Sequence, residues 1–270
     1  MIPAPFEYAA AESAEHALRL LAEHGDDAKV LAGGHSLLPM MKLRLATPEL
    51  LVDIGRLDEL AGVTTDGDEL VVGATTRHAD LAASELARAE APLLAYAAAQ
   101  VGDPQIRHRG TIGGSLSHSD PAADLPMALV ALGGAMQLQG PGGTRLVSAD
   151  DFFQGYFETA LQPDELLTAV RVPRRPGVPW GYQKFVRRSN DWAIVGAAAV
   201  AGRIALASMG PTPLRARAAE EALAAGASPA DAAALAADGT APGEDIHADR
   251  EYRRHLARVL TRRALEHQTG

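Results

Sequence analysis

Two paired-glycine turns constrain this chain more than any other feature: Ala32-Gly33-Gly34-His35-Ser36 and Arg109-Gly110-Thr111-Ile112-Gly113-Gly114-Ser115. Each lies between segments that read as regular structure. A Gly-Gly pair accepts positive φ and lets a ligand reach the backbone, so successive N–H groups can converge on a phosphate. The first turn joins a short strand, Ala28 to Leu31, to a helix from Leu37 to Leu45 with Ser36 as its N-cap. The start of that helix would add to the field on an anion. Neither turn is G-x-G-x-x-G, and no Walker A sequence is present, so the dinucleotide fingerprint and the P-loop do not apply. Either turn alone is equally an ordinary tight connection. Two of them, roughly eighty residues apart, suit a long ligand with a central diphosphate. FAD fits that description; on physics alone, ATP or a sugar nucleotide fits it too.

Charge decides how such a ligand would be held. The 270 residues carry a net charge of −9. That argues against a nucleic-acid surface, which usually carries a basic patch. It also leaves a phosphate to backbone N–H groups rather than to a Lys/Arg cluster. There is no cysteine, which excludes disulfides, thiolate zinc sites and ordinary iron–sulfur clusters. Redox chemistry would therefore need an organic cofactor. Hydrophobic residues make up 47%, enough for a packed core. No apolar run approaches the ~20 residues of a membrane helix. Met1-Ile2-Pro3-Ala4-Pro5 has neither a basic n-region nor an apolar h-region, which favours a cytoplasmic location.

Periodicity predicts a helix from Glu12 to Glu23, with Ala14, Ala17, Leu18 and Leu21 on one face and Gly25 as its stop. A strand from Leu50 to Ile54 completes a βαβ-like unit. A second unit follows: a strand at Leu70 to Gly73, a short helix from Thr76 through Ala82, and a longer one from Glu85 to Ala99. Gly102 to Pro126 reads as a motif-dense loop. Ala135 to Gln139 and Thr144 to Val147 flank a Gly-rich turn as a hairpin, and Glu165 to Val172 is another strand. Pro173 to Pro179 is the clearest linker. Beyond it lie three strands, Gly181 to Val186, Ile194 to Ala201 and Arg203 to Ala207, then Ala-rich helix from Pro211 onward. His35 and His118 lack a third ligand for a metal. Ser117, His118 and Asp120 are too close in sequence for a triad, whose members normally come from separate segments. Arg107, His108 and Arg109 read either as a partner contact or as a solvated basic turn.

The runs Leu31 to Arg44, Asp103 to Arg107, Arg109 to Ser115, Asp120 to Asp124, Lys184-Phe185 and Arg188 to Trp192 together resemble the FAD-binding, medium subunits of the molybdenum hydroxylases, aerobic carbon monoxide dehydrogenase among them. The resemblance spans essentially the whole chain. It implies an α+β, PCMH/vanillyl-alcohol-oxidase-type FAD-binding fold over 1–175, with subdomains of about 1–57 and 58–175. It implies a C-terminal domain over 176–270 with a three-stranded antiparallel sheet and helices. It places Ala32, Gly33, Gly34, His35, Ser36 and Leu37, with Thr111, Gly113, Gly114 and Ser115, around the FAD diphosphate. Asp124 would lie at the adenosine or the ribitol side, and Lys184 near the pyrimidine edge of the isoalloxazine. Trp192 would flank the ring, or be a core aromatic at a strand start. No residue acts as a catalytic acid or base, and none binds metal. The implied partners are an iron–sulfur small subunit and a molybdenum-cofactor large subunit, with electrons passing through FAD to an external acceptor. A self-sufficient FAD-dependent reductase and a nucleotide-binding assembly module remain as alternatives.

Overall fold

The first glycine turn sits where a small parallel sheet ends. In the computed structural model, which describes residues 2–269, the N-terminal unit comprises β1 (Glu7–Ala10), α1 (Ala14–His24), β2 (Ala28–Leu31), α2 (Leu37–Lys42) and β3 (Leu50–Asp53). The strands pair in parallel in the order β1-β3-β2. Ser13 caps α1, its Oγ accepting from the His16 N–H at 3.1 Å. Ala14, Ala17 and Leu21 turn inward, as their spacing predicts. Helix α2 stops short of Leu45 because Arg44 turns left-handed, φ 58, and the Leu45 N–H returns to the Met40 carbonyl at 2.9 Å.

The second unit runs through β4 (Val63–Asp66), β5 (Glu69–Gly73), α3 (His78–Ala83), α4 (Glu85–Glu90), α5 (Pro92–Gln100), α6 (Pro104–Arg109), α7 (Ile112–His118) and α8 (Asp124–Leu132). It continues with β6 (Ala135–Gly140), β7 (Gly143–Ser148), α9 (Ala149–Phe152), β8 (Phe153–Gly155), β9 (Glu158–Thr159) and β10 (Leu166–Pro173). Its main sheet is antiparallel, in the order β4-β5-β10-β6-β7. Two sequence expectations change here. The helix expected over 85–99 is two helices, because Pro92 pushes Ala91 out of helical geometry, to φ −144 and ψ 63. The expected loop at 102–126 is mostly helical. Asp103 caps α6 by accepting the Ile106 N–H at 2.9 Å, with Pro104 in the first turn. Thr111 caps α7 by accepting the Gly114 N–H at 3.1 Å.

The C-terminal part contains β11 (Trp180–Phe185), β12 (Val195–Val200), β13 (Arg203–Ala207), β14 (Leu214–Arg215), α10 (Arg217–Ala224), α11 (Pro229–Ala234) and α12 (Arg250–Glu266). Its sheet has four antiparallel strands, β11-β12-β13-β14, where three were expected. The fourth is two residues long, too short to show alternation in the sequence.

Strand β12 is buried on both faces. Ala198 and Val200 join the large core that holds Leu125 and Leu129 of α8. Ala197 and Ala199 face Leu256, Ala257 and Leu260 of α12. The C-terminal sheet is thus pressed between two helices, and each fully buried leucine stabilises it by roughly 1.5–3 kcal/mol. The close approach depends on Gly181, since a Cβ there would overlap the Ala264 carbonyl and lie 2.8 Å from the Ala264 Cα. Gly181→Ala is therefore expected to lower stability by about 1–3 kcal/mol, the usual range for overpacking. A urea unfolding midpoint equal to that of the wild type would contradict this packing.

Candidate functional site

The two glycine turns meet backbone to backbone. A Cβ on Gly33 would overlap the Arg109 carbonyl oxygen and lie 2.9 Å from the Gly110 Cα. Gly33 is thus needed for this contact rather than for positive φ, which Gly34 adopts instead at 76°. Among the described residues, the N–H groups of Gly33, Gly34, His35 and Ser36 meet no backbone acceptor. Buried or half-buried amides normally find partners, so four successive free donors form a set suited to an anion.

The second turn differs from the expectation of a matching amide cradle. The Ile112 N–H donates to the Thr76 carbonyl at 3.0 Å, and the Gly113 N–H to the Ala74 carbonyl at 2.9 Å. The Gly114 N–H goes to the Thr111 Oγ1, and the Ser115 N–H to the Thr111 carbonyl at 3.0 Å. This turn is the first turn of α7, docked where β5 ends, and its donors are spent on that docking. Gly113 is a packing glycine, its Cβ position 2.7 Å from Ala74. What 111–115 offers outward is the exposed Gly114 surface and the half-buried Ser115.

A local positive charge compensates. Arg77 donates through Nη1 to the Arg109 carbonyl and through Nη2 to the Gly55 carbonyl at 3.3 Å. It ties the end of the parallel sheet to α6, beside the Ala32 carbonyl. Arg107 donates to the Val101 and Gly102 carbonyls at 3.0 and 3.1 Å. Among the described residues, Arg77, Arg107 and Arg109 have no carboxylate in ion-pair contact. In a chain of net charge −9, this cationic corner favours an anion through the space around the first turn. An anion placed there would meet side-chain cations as well as backbone donors, where the net charge had implied backbone donors alone.

His78 lies in the same corner. It is buried, its Nδ1 has no hydrogen-bond partner, and its ring would touch any Cβ on Gly110. Burial, with His35, Arg107 and Arg77 nearby, lowers its pKa to about 4. The unfolded chain, with His78 near about 6.5, binds more protons between those values. Stability is therefore full above about pH 6.5 and falls as pH drops towards 4, by up to about 3 kcal/mol. His78→Asn is expected to flatten that part of the stability–pH curve. An unchanged acid slope would remove His78 as its source.

Asp124 and Lys184 were expected at different parts of the ligand. They form one buried ion pair, Nζ to Oδ1 2.9 Å, with side chains 3% and 9% exposed. Tyr182 donates its hydroxyl to Asp124 Oδ1, and Lys184 Nζ also reaches the Gln100 carbonyl at 3.4 Å. Burial pushes the Asp124 carboxyl above the ordinary carboxylate value, against the opposing pull of the Lys184 ammonium and the Tyr182 hydroxyl. Lys184 is thus a compensated charge.

Trp192 is 54% exposed, so it is not a core aromatic. The chain after it is clamped: Ser208 Oγ donates to the Ala193 carbonyl at 2.8 Å, and buried Arg253 donates to the Ile194 carbonyl. Ala32, Ser36 and Leu37 are half-buried along the first turn, and His35 is exposed. His118 packs on Phe157 with ring centroids 5.0 Å apart. Sequence reasoning missed Arg77, His78, Gln100 and Tyr182. Only Tyr182 carried a signal, lying two residues before Lys184 on one face of a strand.

A family model described as the FAD binding domain in molybdopterin dehydrogenase matches residues 4–175. Another, the CO dehydrogenase flavoprotein C-terminal domain, matches residues 180–268. The chain belongs to the FAD-binding, medium-subunit family of the molybdopterin dehydrogenases. It is 43% identical to the carbon monoxide dehydrogenase medium chain of Hydrogenophaga pseudoflava, covering 98% of this chain and 97% of that one. It is 39% identical to the 6-hydroxypseudooxynicotine dehydrogenase complex subunit alpha of Paenarthrobacter nicotinovorans, covering 98% and 95%. The solved carbon monoxide dehydrogenase from Hydrogenophaga pseudoflava that lacks the Mo-pyranopterin moiety superposes with a TM-score of 0.94 at 45% identity, covering 98% of both chains.

Proposed function

We propose that this chain is the FAD-carrying subunit of a molybdenum hydroxylase complex, receiving electrons from iron–sulfur clusters on a small subunit and passing them to an external acceptor. Bound FAD supplies the redox chemistry, since it exchanges both single electrons and pairs. The chain's own part is to bind and orient it. The observation that carries this reading is the run of four acceptor-free amides at 33–36 beside the Arg77, Arg107 and Arg109 corner. Those amides take the diphosphate, flanked by Ala32 and Leu37 and by Thr111, Gly113, Gly114 and Ser115. Lys184, held by Asp124, lies at the pyrimidine edge, and Trp192 flanks the ring from its exposed loop. The lack of cysteine puts the clusters on another chain, and the substrate is oxidised on the large subunit.

The same proposal divides the chain into an FAD-binding domain, 1–175, with subdomains of about 1–57 and 58–175, and a C-terminal domain, 176–270. Among the described residues no helix is long and apolar enough to cross a membrane, and a cytoplasmic location completes the proposal. Purification of the complex tests it. The expected result is a yellow preparation with absorption near ~370 and ~450 nm, one FAD released per chain on denaturation, and co-purifying molybdenum- and iron-containing subunits. A colourless chain that takes up no added FAD would overturn it.

A further inference from the structure

Three buried polar groups meet where the FAD-binding part touches the C-terminal sheet. Strand geometry puts Tyr182 and Lys184 on one face of β11, facing α5 and α8. The Tyr182 ring is fixed by Tyr96 of α5, edge to face with centroids 5.4 Å apart. Its hydroxyl points at Asp124. Replacing a buried ion pair by apolar side chains is often neutral or stabilising, so folding alone is a weak reason to keep this cluster.

Hydrogen-bond capacity shows what it is arranged to do. The Lys184 ammonium has three N–H groups. The two Asp124 oxygens, at 2.9 and 3.0 Å, sit side by side and share one N–H, and the Gln100 carbonyl takes a second through a long contact at 3.4 Å. One N–H is left without a protein acceptor among the described residues. Asp124 Oδ1 accepts from both Lys184 and Tyr182. The groups in contact with Asp124 are Lys184 and Tyr182 from β11, while from α5 the Gln100 carbonyl reaches Lys184 and the Tyr96 ring packs on Tyr182; Lys184 is the only ion-pair partner of Asp124 among the described residues. With the carboxylate ionised the cluster is neutral; with it protonated the cluster carries one positive charge.

We propose that Tyr182 is a positioning residue that sets the charge beside the flavin: its hydroxyl holds Asp124 ionised, and Asp124 fixes the Lys184 ammonium with one N–H free for the isoalloxazine edge. This rests on the placement of Lys184 beside the flavin given above. Tyr182→Phe removes one donor to the charged carboxylate and leaves the ring in place. Protonation of Asp124 then moves to higher pH. A positive charge arriving at higher pH raises the flavin midpoint potential there, so the pH-dependent break in that potential moves the same way.

The test uses the flavin-loaded complex and reads two quantities against pH: the infrared carboxyl stretch assigned by its loss in Asp124→Asn, and the flavin midpoint potential. In Tyr182→Phe both are expected to shift to higher pH with FAD content unchanged. In an Asp124→Asn background Tyr182→Phe is expected to shift neither. Tyr182→3-fluorotyrosine keeps the packing and strengthens the donor, and is expected to shift both to lower pH, which preserves the test if the phenylalanine variant folds poorly. An unmoved infrared titration overturns the proposal and leaves the flavin placement intact. An infrared shift without a potential shift overturns it through the placement of Lys184. A potential shift that persists with Asp124→Asn shows that Tyr182 acts by another route and also overturns it.

Discussion

Gly33→Val is expected to leave the chain unable to retain FAD through purification. The branched side chain has no room, because the Arg109 carbonyl and the Gly110 Cα already occupy its Cβ position. Something must shift, and the nearest atoms are backbone. The first turn would swing away from α6, which breaks the alignment of the 33–36 amides with the arginine corner. A loss of only about 1.4 kcal/mol weakens binding tenfold, and overpacking of this kind typically costs about 1–3 kcal/mol. Equilibrium titration of flavin-depleted protein with FAD should therefore show roughly 5- to 150-fold weaker binding. Gly114→Ala is expected to be milder. Only the Thr111 Oγ1 lies close to its Cβ position, at 2.8 Å, and the residue is exposed on a helix. Equal effects at the two glycines would mean that the turns contribute symmetrically, contrary to their hydrogen bonding.

The second large effect is expected from Lys184→Met. Removing the lysine strands Asp124, whose side chain is 3% exposed, without its cation. Breaking a buried pair from one side typically destabilises by about 3–5 kcal/mol. The sign with pH follows from the same carboxyl. Its folded-state pKa is raised by burial, and more so without Lys184. Above its unfolded value of about 3.9 the unfolded chain therefore ionises it more readily, and the deficit grows with pH. Urea unfolding should show the variant weakest at neutral pH and closer to the wild type in acid. The double variant Lys184→Met/Asp124→Asn should recover much of the loss. A single variant as stable as the wild type at neutral pH would refute the buried pair.

Local patterns were legible in the sequence where a single segment decides them. The β2-α2-β3 part of the parallel unit follows from the strand patterns on either side of the Gly33-Gly34 turn, whereas the short edge strand β1 was not read from the sequence; the family resemblance follows from motifs that are contiguous. Elements whose caps sit inside Gly- and Pro-rich text were misread. Asp103-Pro104 and Thr111-Ile112 start helices that the composition of 102–126 disguises as loop. The Ile112 and Gly113 donors of the second turn looked free because their acceptors, Thr76 and Ala74, lie more than thirty residues upstream. The same limit hid the site's polar partners. Asp124 and Lys184 are 60 residues apart, and Arg77 is 32 residues from the carbonyl it holds. Each looked plausible alone, and only the fold shows that Lys184 is neutralised while the arginines are not.

In the proposed function, the diphosphate of FAD is gripped by the main chain at 33–36 and not by that at 112–114. Amide-resolved hydrogen exchange, with and without FAD, measures this directly. The expected result is that the Gly33, Gly34, His35 and Ser36 amides slow by at least about tenfold when FAD binds, whereas those of Ile112, Gly113 and Gly114 are slow in both states. Unchanged exchange at 33–36 while FAD is demonstrably bound would contradict it.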